Sequence, residues 1–339
     1  MILKERILTF SSLGDFILNE ANREQLREWC YRAKNENAWF TEDNVILSLD
    51  NIAKYYLNNQ LLTDWADQYK LVDHCSLKKI GIVAAGNIPA VGFHDLMAAV
   101  ISGNIALIKL SSSDTVLMKF LINKLIEINH NIGQFIQISD KLNEADAFIA
   151  TGSDNSAKYF EYYFSKKPHI IRRNRTSVAI LNGSENKIEL GNLGNDILQF
   201  FGLGCRNVSK IYVPKGYTFD KFFESIDYWS TILLHHKYNN NYDYNKSIYL
   251  VNGVKFFDNG FFMLKPDEAL VSPISTCFYQ EYDNREHLDN LIGQNSEKIQ
   301  CIVSSKSWYP HSFDFGLAQS PTLIDYADGI DVMNFLTEL

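Results

Sequence analysis

The sequence lacks several features that would assign it to a broad functional class. No stretch of the 339 residues reaches the ~18 uninterrupted apolar residues that a membrane-spanning helix needs, because Asn87, His94, Asp95 and Asn104 interrupt the most apolar region. Charged residues in the opening segment MILKERILTF lie where a signal peptide would be apolar. We therefore expect neither a membrane span nor secretion, and predict a cytoplasmic protein.

Basic charge is also scarce. Lys and Arg total 32 against 40 Asp and Glu, which gives a formal net charge of −8 at pH 7. This balance disfavours the broad phosphate-neutralising surface that nucleic acids require, so no nucleic-acid partner is expected. Hydrophobic residues make up 46% and charged residues 21%, which is typical of globular proteins and leaves little room for disorder.

Cysteines are few, and their spacing indicates neither a disulfide framework nor a metal site. They number five, with no Cys-x-x-Cys pair and no neighbouring histidine cluster: Cys30, Cys75, Cys205, Cys277 and Cys301. Reduced thiols and no bound metal are expected. Cys205 differs from the others because it follows Gly202 and Gly204, which permit close backbone approach to a ligand, and precedes Arg206, whose charge favours a thiolate.

The order of the expected elements indicates an α/β protein. Residues 1 to about 75 have helical periodicity. From Lys78 onward, short β-branched runs alternate with longer helical patterns, which is typical of βαβ units on a parallel sheet. We predict strands at 80–84, 105–109, 135–138, 147–150, 178–181 and 209–213, helices at 92–101, after 114, after 154, at 196–201 and at 219–234, and a polar surface loop at 238–246.

Two turns in this pattern are candidates for ligand binding, because ligands of open parallel sheets bind beyond the carboxyl ends of the strands. The turn 111–114 follows Lys109 and offers hydroxyls and amides at a helix N-terminus, which suits a phosphate. Helix capping by Ser113 or Asp114 explains the same residues equally well, and the turn 151–153 has the same two interpretations. No Gly-x-Gly-x-x-Gly or P-loop pattern occurs, so a standard Rossmann or NTPase site is unsupported.

A local basic cluster stands out in this acidic chain. It lies within 165–175, contains no acidic residue, and comprises Lys166, Lys167, Arg172, Arg173 and Arg175. A solvated face is the commoner explanation for such a cluster, and reception of cofactor phosphates is the other.

Five colinear segments resemble the acyl-CoA reductase family of the aldehyde dehydrogenase superfamily, which includes the fatty-acid reductases of bacterial luminescence. They are AAGNIPAVGFHDLMAAVISGNIALIKLSSSD, ATGS, RRNRTSVAIL, GLGCRNVSKIYVP and FGLAQSPTLIDYADGIDVMNFL. The resemblance runs from about residue 80 to the C-terminus. It implies an aldehyde dehydrogenase-like fold with two α/β domains, mostly parallel sheets and a helical N-terminal segment.

The resemblance also implies domain boundaries and partners. It divides the chain into a helical segment plus dinucleotide-binding domain (1–175), a catalytic domain (176–305) and a C-terminal segment (306–339) that returns to the cofactor domain or forms an oligomer interface. The expected partners are an acyl-CoA or another acyl thioester as substrate, NADPH as cofactor, and further copies of the chain in a homo-oligomer.

The catalytic roles implied by the resemblance fall on two residues. Asn87, in the turn 86–89, corresponds to the side-chain donor of an oxyanion hole, and Cys205 corresponds to the nucleophile. Where the superfamily carries a Glu-Leu-Gly-Gly segment whose glutamate activates water, this chain has Arg173-Asn174-Arg175-Thr176. Hydrolysis of an acyl-enzyme is therefore not expected, and its reduction to an aldehyde is.

The cofactor roles fall on two of the turns. The ribose motif Lys-Pro-Ser-Glu corresponds to Lys109, Leu110, Ser111 and Ser112, and the turn over the pyrophosphate corresponds to Gly152 and Ser153. Because Ser112 replaces the glutamate, no negative charge opposes a 2′-phosphate, which favours NADPH over NADH. A second ribose-binding glutamate would fall on Ala269, with Glu268 one position away.

Two other functions fit the same residues. An acyl-phosphate reductase of the semialdehyde type would use the same cysteine and hydride chemistry. A nucleotide- or CoA-binding scaffold that has lost catalysis would account for the missing carboxylate, although it has no chemical need for Asn87, Lys109, Gly152 and Cys205 together.

Overall fold

The computed structural model describes residues 1–71 and 77–339 and contains two compact units. The first comprises Met1–Asn174 and Pro321–Leu339, and the second comprises Arg175–Ser320. Residues 306–320, assigned from the sequence to a C-terminal segment, thus fold with the second unit. Cys75 lies outside the described residues.

The first unit opens with helices, as the periodicity predicts. They are α1 (Leu3–Leu18), α2 (Arg23–Glu36), α3 (Glu42–Asn51), which continues as a π-helical turn, and α4 (Asn59–Ala66). Their apolar faces share one core with the first sheet; Phe10, Leu49 and Trp65 are almost fully buried in it. Burial of this apolar surface stabilises the segment against the sheet.

The first sheet has five parallel strands in the order β3-β2-β1-β4-β5. The strands are β1 (Lys79–Val83), β2 (Ile105–Lys109), β3 (Ile136–Ile138), β4 (Ala147–Thr151) and β5 (His169–Arg172), and the associated helices are α5 (Phe93–Ile101), α6 (Thr115–Ile128) and α7 (Asp154–Phe164). The predicted strands of this region are confirmed to within one residue at either end. Strand β5 was missed because its four residues lie inside the basic cluster.

The second sheet has six strands in the order β11-β6-β7-β10-β9-β8, parallel except for the β8–β9 pair. The strands are β6 (Thr176–Ile180), β7 (Val208–Pro214), β8 (Phe257–Asp258), β9 (Met263–Pro266), β10 (Thr276–Tyr282) and β11 (Ile299–Ser304), and the helices are α8 (Lys187–Leu198), α9 (Asp220–Ile226), α10 (His236–Val251) and α11 (Arg285–Gly293). A final helix, α12 (Val332–Thr337), belongs to the first unit. The predicted α/β class with mostly parallel sheets is confirmed.

Two predicted elements of the second unit are wrong. The helix expected at 196–201 is α8, which begins at Lys187, where Asn186 and Glu189 form a capping box, and ends before Phe200 and Phe201 adopt positive φ. The loop expected at 238–246 lies within α10. Its asparagines obscured an apolar face on which Tyr238, Tyr242 and Tyr249 are buried at helical spacing.

The length and composition of the helices show whether any of them could cross a membrane. Among the helices of the described residues, none combines the length and apolarity that crossing a membrane requires. The cytoplasmic location stays a prediction.

Candidate active site

Cys205 lies in a tight turn between α8 and β7. Four nearby residues have positive φ: Phe200 (51°), Phe201 (60°), Gly202 (77°) and Gly204 (101°). An L-residue with a side chain rarely adopts the φ of Gly204, so glycine is needed immediately before the cysteine. The N–H of Asn207 donates to the carbonyl of Gly204 (3.3 Å) and closes the turn around a partly exposed Cys205.

The other described cysteines are poor candidates for a nucleophile. Cys30, Cys277 and Cys301 are buried, with at most 6% of each residue exposed. Burial, with a smaller effect of Glu42, raises the pKa of the Cys30 thiol to about 12, and burial also raises that of Cys277. Because the thiolate is the reactive form, burial of this kind suppresses reactivity. Among the cysteines of residues 1–71 and 77–339, Cys205 is thus the one that is not buried.

Arg206 has a different environment from the one its sequence position suggests. Its guanidinium donates to the carbonyl of Ala318 and lies over the ring of Phe313, 4.8 Å from its centroid. Nearby, Asp196 accepts the N–H groups of Gly316 (2.7 Å) and Ala318 (2.9 Å). These contacts hold Arg206 against the 313–318 segment, next to the turn that contains Cys205. The favourable effect of its charge on a Cys205 thiolate stays a prediction.

Asn87 is exposed on the loop that follows β1. Contacts from two other elements hold this loop. The hydroxyl of Ser48 in α3 donates to the carbonyl of Pro89 (2.6 Å), and the N–H of Ala90, at a φ of 55°, donates to the Asp114 carboxyl (2.8 Å). These bonds offset the backbone strain at Ala90 and fix the loop that carries the predicted oxyanion donor.

The loop after β2 touches the Asn87 loop directly. A Cβ on Gly86 would lie 2.4 Å from the Ser111 hydroxyl oxygen, so only glycine fits there. Lys109 and Ser112 are exposed at the same end of β2, and the Ser111 hydroxyl accepts the N–H of Ser113 (3.2 Å). The structure thus brings Asn87 and the predicted ribose motif onto adjoining loops.

Asp114 does not cap α6 with its side chain, contrary to one of the two interpretations. Its carboxyl turns away from the helix toward Ala90, and its second oxygen is buried without a hydrogen-bond partner. Burial raises the pKa of this carboxyl well above its usual range. The sequence did not indicate this contact of Asp114 because its partner lies 24 positions away in the chain.

The third predicted loop follows β4, the strand next to β1. Ser153 caps α7, since its hydroxyl accepts the N–H of Ser156 (3.3 Å), which confirms the expected capping. Binding of a cofactor phosphate at this turn stays a prediction. A Cβ on Gly152 would lie 2.8 Å from the Cβ of Ser156 and 2.9 Å from the Phe160 ring. Because β2, β1 and β4 are adjacent and parallel, all six residues predicted to bind cofactor or oxyanion on these loops lie at one edge of the first sheet. Cys205 belongs to the second unit.

The basic cluster is only partly available to a ligand. Arg172 is buried and forms a bidentate ion pair with Asp95 of α5 (2.7 and 2.9 Å). Arg173 pairs with Glu161 on α7. The prediction that this cluster could receive phosphates therefore does not extend to Arg172, whose guanidinium already binds a carboxylate.

Comparison with known families confirms the resemblance found in the motifs. The family model described as acyl-CoA reductase (LuxC) matches residues 57–222. This stretch contains every candidate site residue: Asn87, Lys109, Ser111, Ser112, Gly152, Ser153 and Cys205. No significantly similar sequence was found among curated proteins.

Solved structures show the same fold. An NADP-dependent enzyme from E. coli superposes with a TM-score of 0.66 at 11% identity, covering 93% of this chain and 74% of that chain. An aldehyde dehydrogenase from Mycobacterium tuberculosis, solved with NAD+, gives 0.64 at 11% (90% and 73%). Aldehyde dehydrogenase 21 from Physcomitrella patens, solved with succinate, gives 0.62 at 13% (91% and 74%). The fold is therefore aldehyde dehydrogenase-like.

Proposed function

We propose that this protein reduces an acyl-CoA thioester to an aldehyde with NADPH, through an acyl-enzyme on Cys205. The observation that carries the proposal is the setting of Cys205: a partly exposed cysteine in a turn where Gly202 and Gly204 have positive φ, while the other described cysteines are buried. The family match over residues 57–222 and the aldehyde dehydrogenase-like fold support aldehyde-related redox chemistry.

The first step is attack of the Cys205 thiolate on the thioester carbonyl. The carbon–sulfur bond to CoA breaks, CoA leaves as a thiolate that takes up a proton, and the acyl group stays on Cys205. In this proposal the Asn87 side chain and the Cys205 N–H stabilise the oxyanion that forms during attack. One such donor typically lowers the barrier by about 3 to 4 kcal/mol.

The second step releases the aldehyde. Bound NADPH supplies the hydride that reduces the acyl group. Cys205 then holds the resulting thiohemiacetal until it collapses to aldehyde and thiolate. Arg173, Asn174, Arg175 and Thr176 offer no carboxylate to activate water at the position where the superfamily carries its glutamate, so the acyl-enzyme survives until it is reduced.

The edge of the first sheet fits the phosphates and ribose of such a cofactor. Lys109 supplies an exposed cation, Ser112 adds no negative charge, and Gly152 lets the turn pack closely against α7, where a Cβ would clash with Ser156 and Phe160. These residues, with Ser111 and Ser153, would hold NADPH. A homo-oligomer remains a prediction from the family resemblance.

The test is a coupled assay of NADPH consumption and thiol release with a saturated acyl-CoA. We expect both activities in the native protein and loss of at least about 1,000-fold in Cys205→Ser, because the hydroxyl is a far weaker nucleophile without an adjacent base. Cys30→Ala, which removes a buried thiol from the first unit, is the matched control and should retain activity.

Other outcomes of this assay identify the alternatives. Turnover of an acyl phosphate with none of acyl-CoA would replace the proposed substrate by that of a semialdehyde-type reductase. No turnover of either substrate, together with equal iodoacetamide labelling of Cys205 and Cys30, would indicate a binding scaffold.

A further inference from the structure

We propose that Ser177 is a positioning residue for the nucleophile, acting through a hydrogen bond to the backbone of Cys205. This inference rests on the proposed function for its effect on catalysis. Ser177 is the second residue of β6 and is fully buried. Its hydroxyl donates to the carbonyl oxygen of Cys205 over 3.0 Å, a contact between residues 28 positions apart.

The direction of this hydrogen bond follows from the other partners of Ser177. A serine hydroxyl has one hydrogen to donate and two lone pairs to accept with. The N–H of Cys301 in β11 donates to the Ser177 oxygen (3.2 Å), and the Cys301 sulfur lies 3.0 Å from that oxygen. With its single hydrogen directed at Cys205, the hydroxyl accepts from the N–H and the thiol of Cys301. Its donor and both of its lone pairs are then used.

Irregular strand pairing places Ser177 where it can make these contacts. The register of β6 with β7 shifts between Ser177 and Val178, and the register of β6 with β11 shifts between Ile299 and Ile302. Local breaks in strand register redirect side chains, as β-bulges do beside many active sites. The Ser177 hydroxyl bridges β11 and the turn that contains Cys205.

This bond fixes the peptide group between Cys205 and Arg206. Holding that carbonyl restricts ψ of Cys205 and so the direction in which its Cα–Cβ bond presents the sulfur. Because Ser177 is fully buried, it cannot touch a substrate. Its loss should therefore lower kcat, through misdirection of the thiolate, and leave KM nearly unchanged.

The experiment compares Ser177→Ala and Ser177→Thr with the control Ser209→Ala. Ser209 is also a buried serine; its hydroxyl donates to the carbonyl of Leu270 and meets the Thr176 hydroxyl, without contacting Cys205. Two quantities are measured: kcat and KM with acyl-CoA, and the rate of iodoacetamide labelling at Cys205 across pH, followed by mass spectrometry of the Cys205 peptide.

We expect Ser177→Ala to lower kcat about tenfold, the effect of one lost hydrogen bond, with KM changed by less than about twofold. The pH profile of Cys205 labelling should change as well. Ser177→Thr retains the hydroxyl and should restore most of kcat and of the native labelling profile. Ser209→Ala should resemble the native protein in both measurements. If the threonine does not fold, Ser177→Cys keeps a weaker donor and should give an intermediate kcat.

One result would reject the role of Ser177, and a different result would reject the proposed function. Labelling and kcat in Ser177→Ala that match those of Ser209→Ala would reject positioning by Ser177 even if the native protein reduces acyl-CoA. An inactive native protein would reject the reductase, and the labelling comparison would still decide whether Ser177 positions Cys205.

Discussion

At the scale of single residues, Asp196 makes the stability of the second unit depend on pH. Burial raises the pKa of its carboxyl to about 7, and this outweighs the opposing effects of the Gly316 and Ala318 N–H donors and of Arg206. In the unfolded chain an aspartate titrates near 3.9. Between about pH 4 and 7 the folded protein therefore binds a proton that the unfolded chain has lost, so this residue's contribution to stability decreases as pH rises through that window.

Asp196→Asn should remove this dependence. From about pH 4 to 8, the free energy of unfolding of the native protein should fall by about 2 to 4 kcal/mol relative to that of the variant, as three units of pKa shift allow at most. Urea denaturation at several pH values measures the difference. Asp140→Asn, at an exposed position, is the control. A constant difference between native protein and Asp196→Asn would contradict the assigned protonation.

Ser112 determines the cofactor in the proposed function. Ser112→Glu would place a negative charge against the 2′-phosphate of NADPH and offer an acceptor to the 2′-hydroxyl of NADH. We expect the ratio of kcat/KM for NADPH over NADH to fall by about tenfold or more, measured by steady-state kinetics. Ser112→Gln has a similar size without the charge and should shift the ratio much less. Equal shifts in the two variants would exclude the electrostatic explanation.

Sequence patterns reveal residues whose role depends on their neighbours in the chain. They do not reveal residues whose role depends on contacts with positions far away in the sequence. Cys205 was identifiable because Gly202 and Gly204 precede it, and the structure shows both at positive φ. The roles of Ser177 and Asp114 were not identifiable, since each acts on a backbone group more than 20 positions away in the chain.

At the scale of elements, the loops after β1 and β2 are in contact, and a substitution at Gly86 tests this contact. Gly86→Ala would force a Cβ against the Ser111 side chain, at 2.4 Å from its oxygen and 2.6 Å from its Cβ. We expect the free energy of unfolding to fall by about 1 to 3 kcal/mol, the usual cost of overpacking, and KM for NADPH to rise. Chemical denaturation and steady-state kinetics measure the two effects.

A double-mutant cycle separates this contact from the intrinsic effect of replacing glycine. In a Ser111→Gly background the cost of Gly86→Ala should largely disappear, because the clashing side chain is absent. Gly133→Ala is the control, since its nearest neighbour would lie 3.7 Å from the new Cβ. An undiminished cost in the Ser111→Gly background would show that the loops do not meet as described.

The same scale shows why some elements could be predicted and others could not. Strands β1, β2 and β4 are buried and rich in aliphatic residues, so their sequences alone indicate them. Strand β5 is short and lies among basic residues, and its last residue, Arg172, is buried in an ion pair with Asp95. Helix α10 buries tyrosines at helical spacing, but asparagines separate them in the sequence. The high average polarity of the segment therefore hides the helical periodicity of the tyrosines.

At the scale of the whole molecule, the chain has two α/β units, and each of them carries some of the candidate site residues. The first presents the Asn87 loop and the predicted cofactor loops at one sheet edge, and the second presents Cys205. Class and parallel topology followed from alternating strand and helix patterns. The assignment of residues 306–320 to the second unit did not, because it depends on contacts such as those of Asp196 with Gly316 and Ala318.

The central claim is that Cys205 carries the acyl group, and thiol release without reduced cofactor tests it most directly. Mixing the protein with acyl-CoA alone should release a burst of about one thiol per chain and leave the acyl mass on the Cys205 peptide, because acylation precedes hydride transfer. Later addition of NADPH should discharge that acyl group as aldehyde. A burst that persists in Cys205→Ser, or an acyl group found on another residue, would contradict the account.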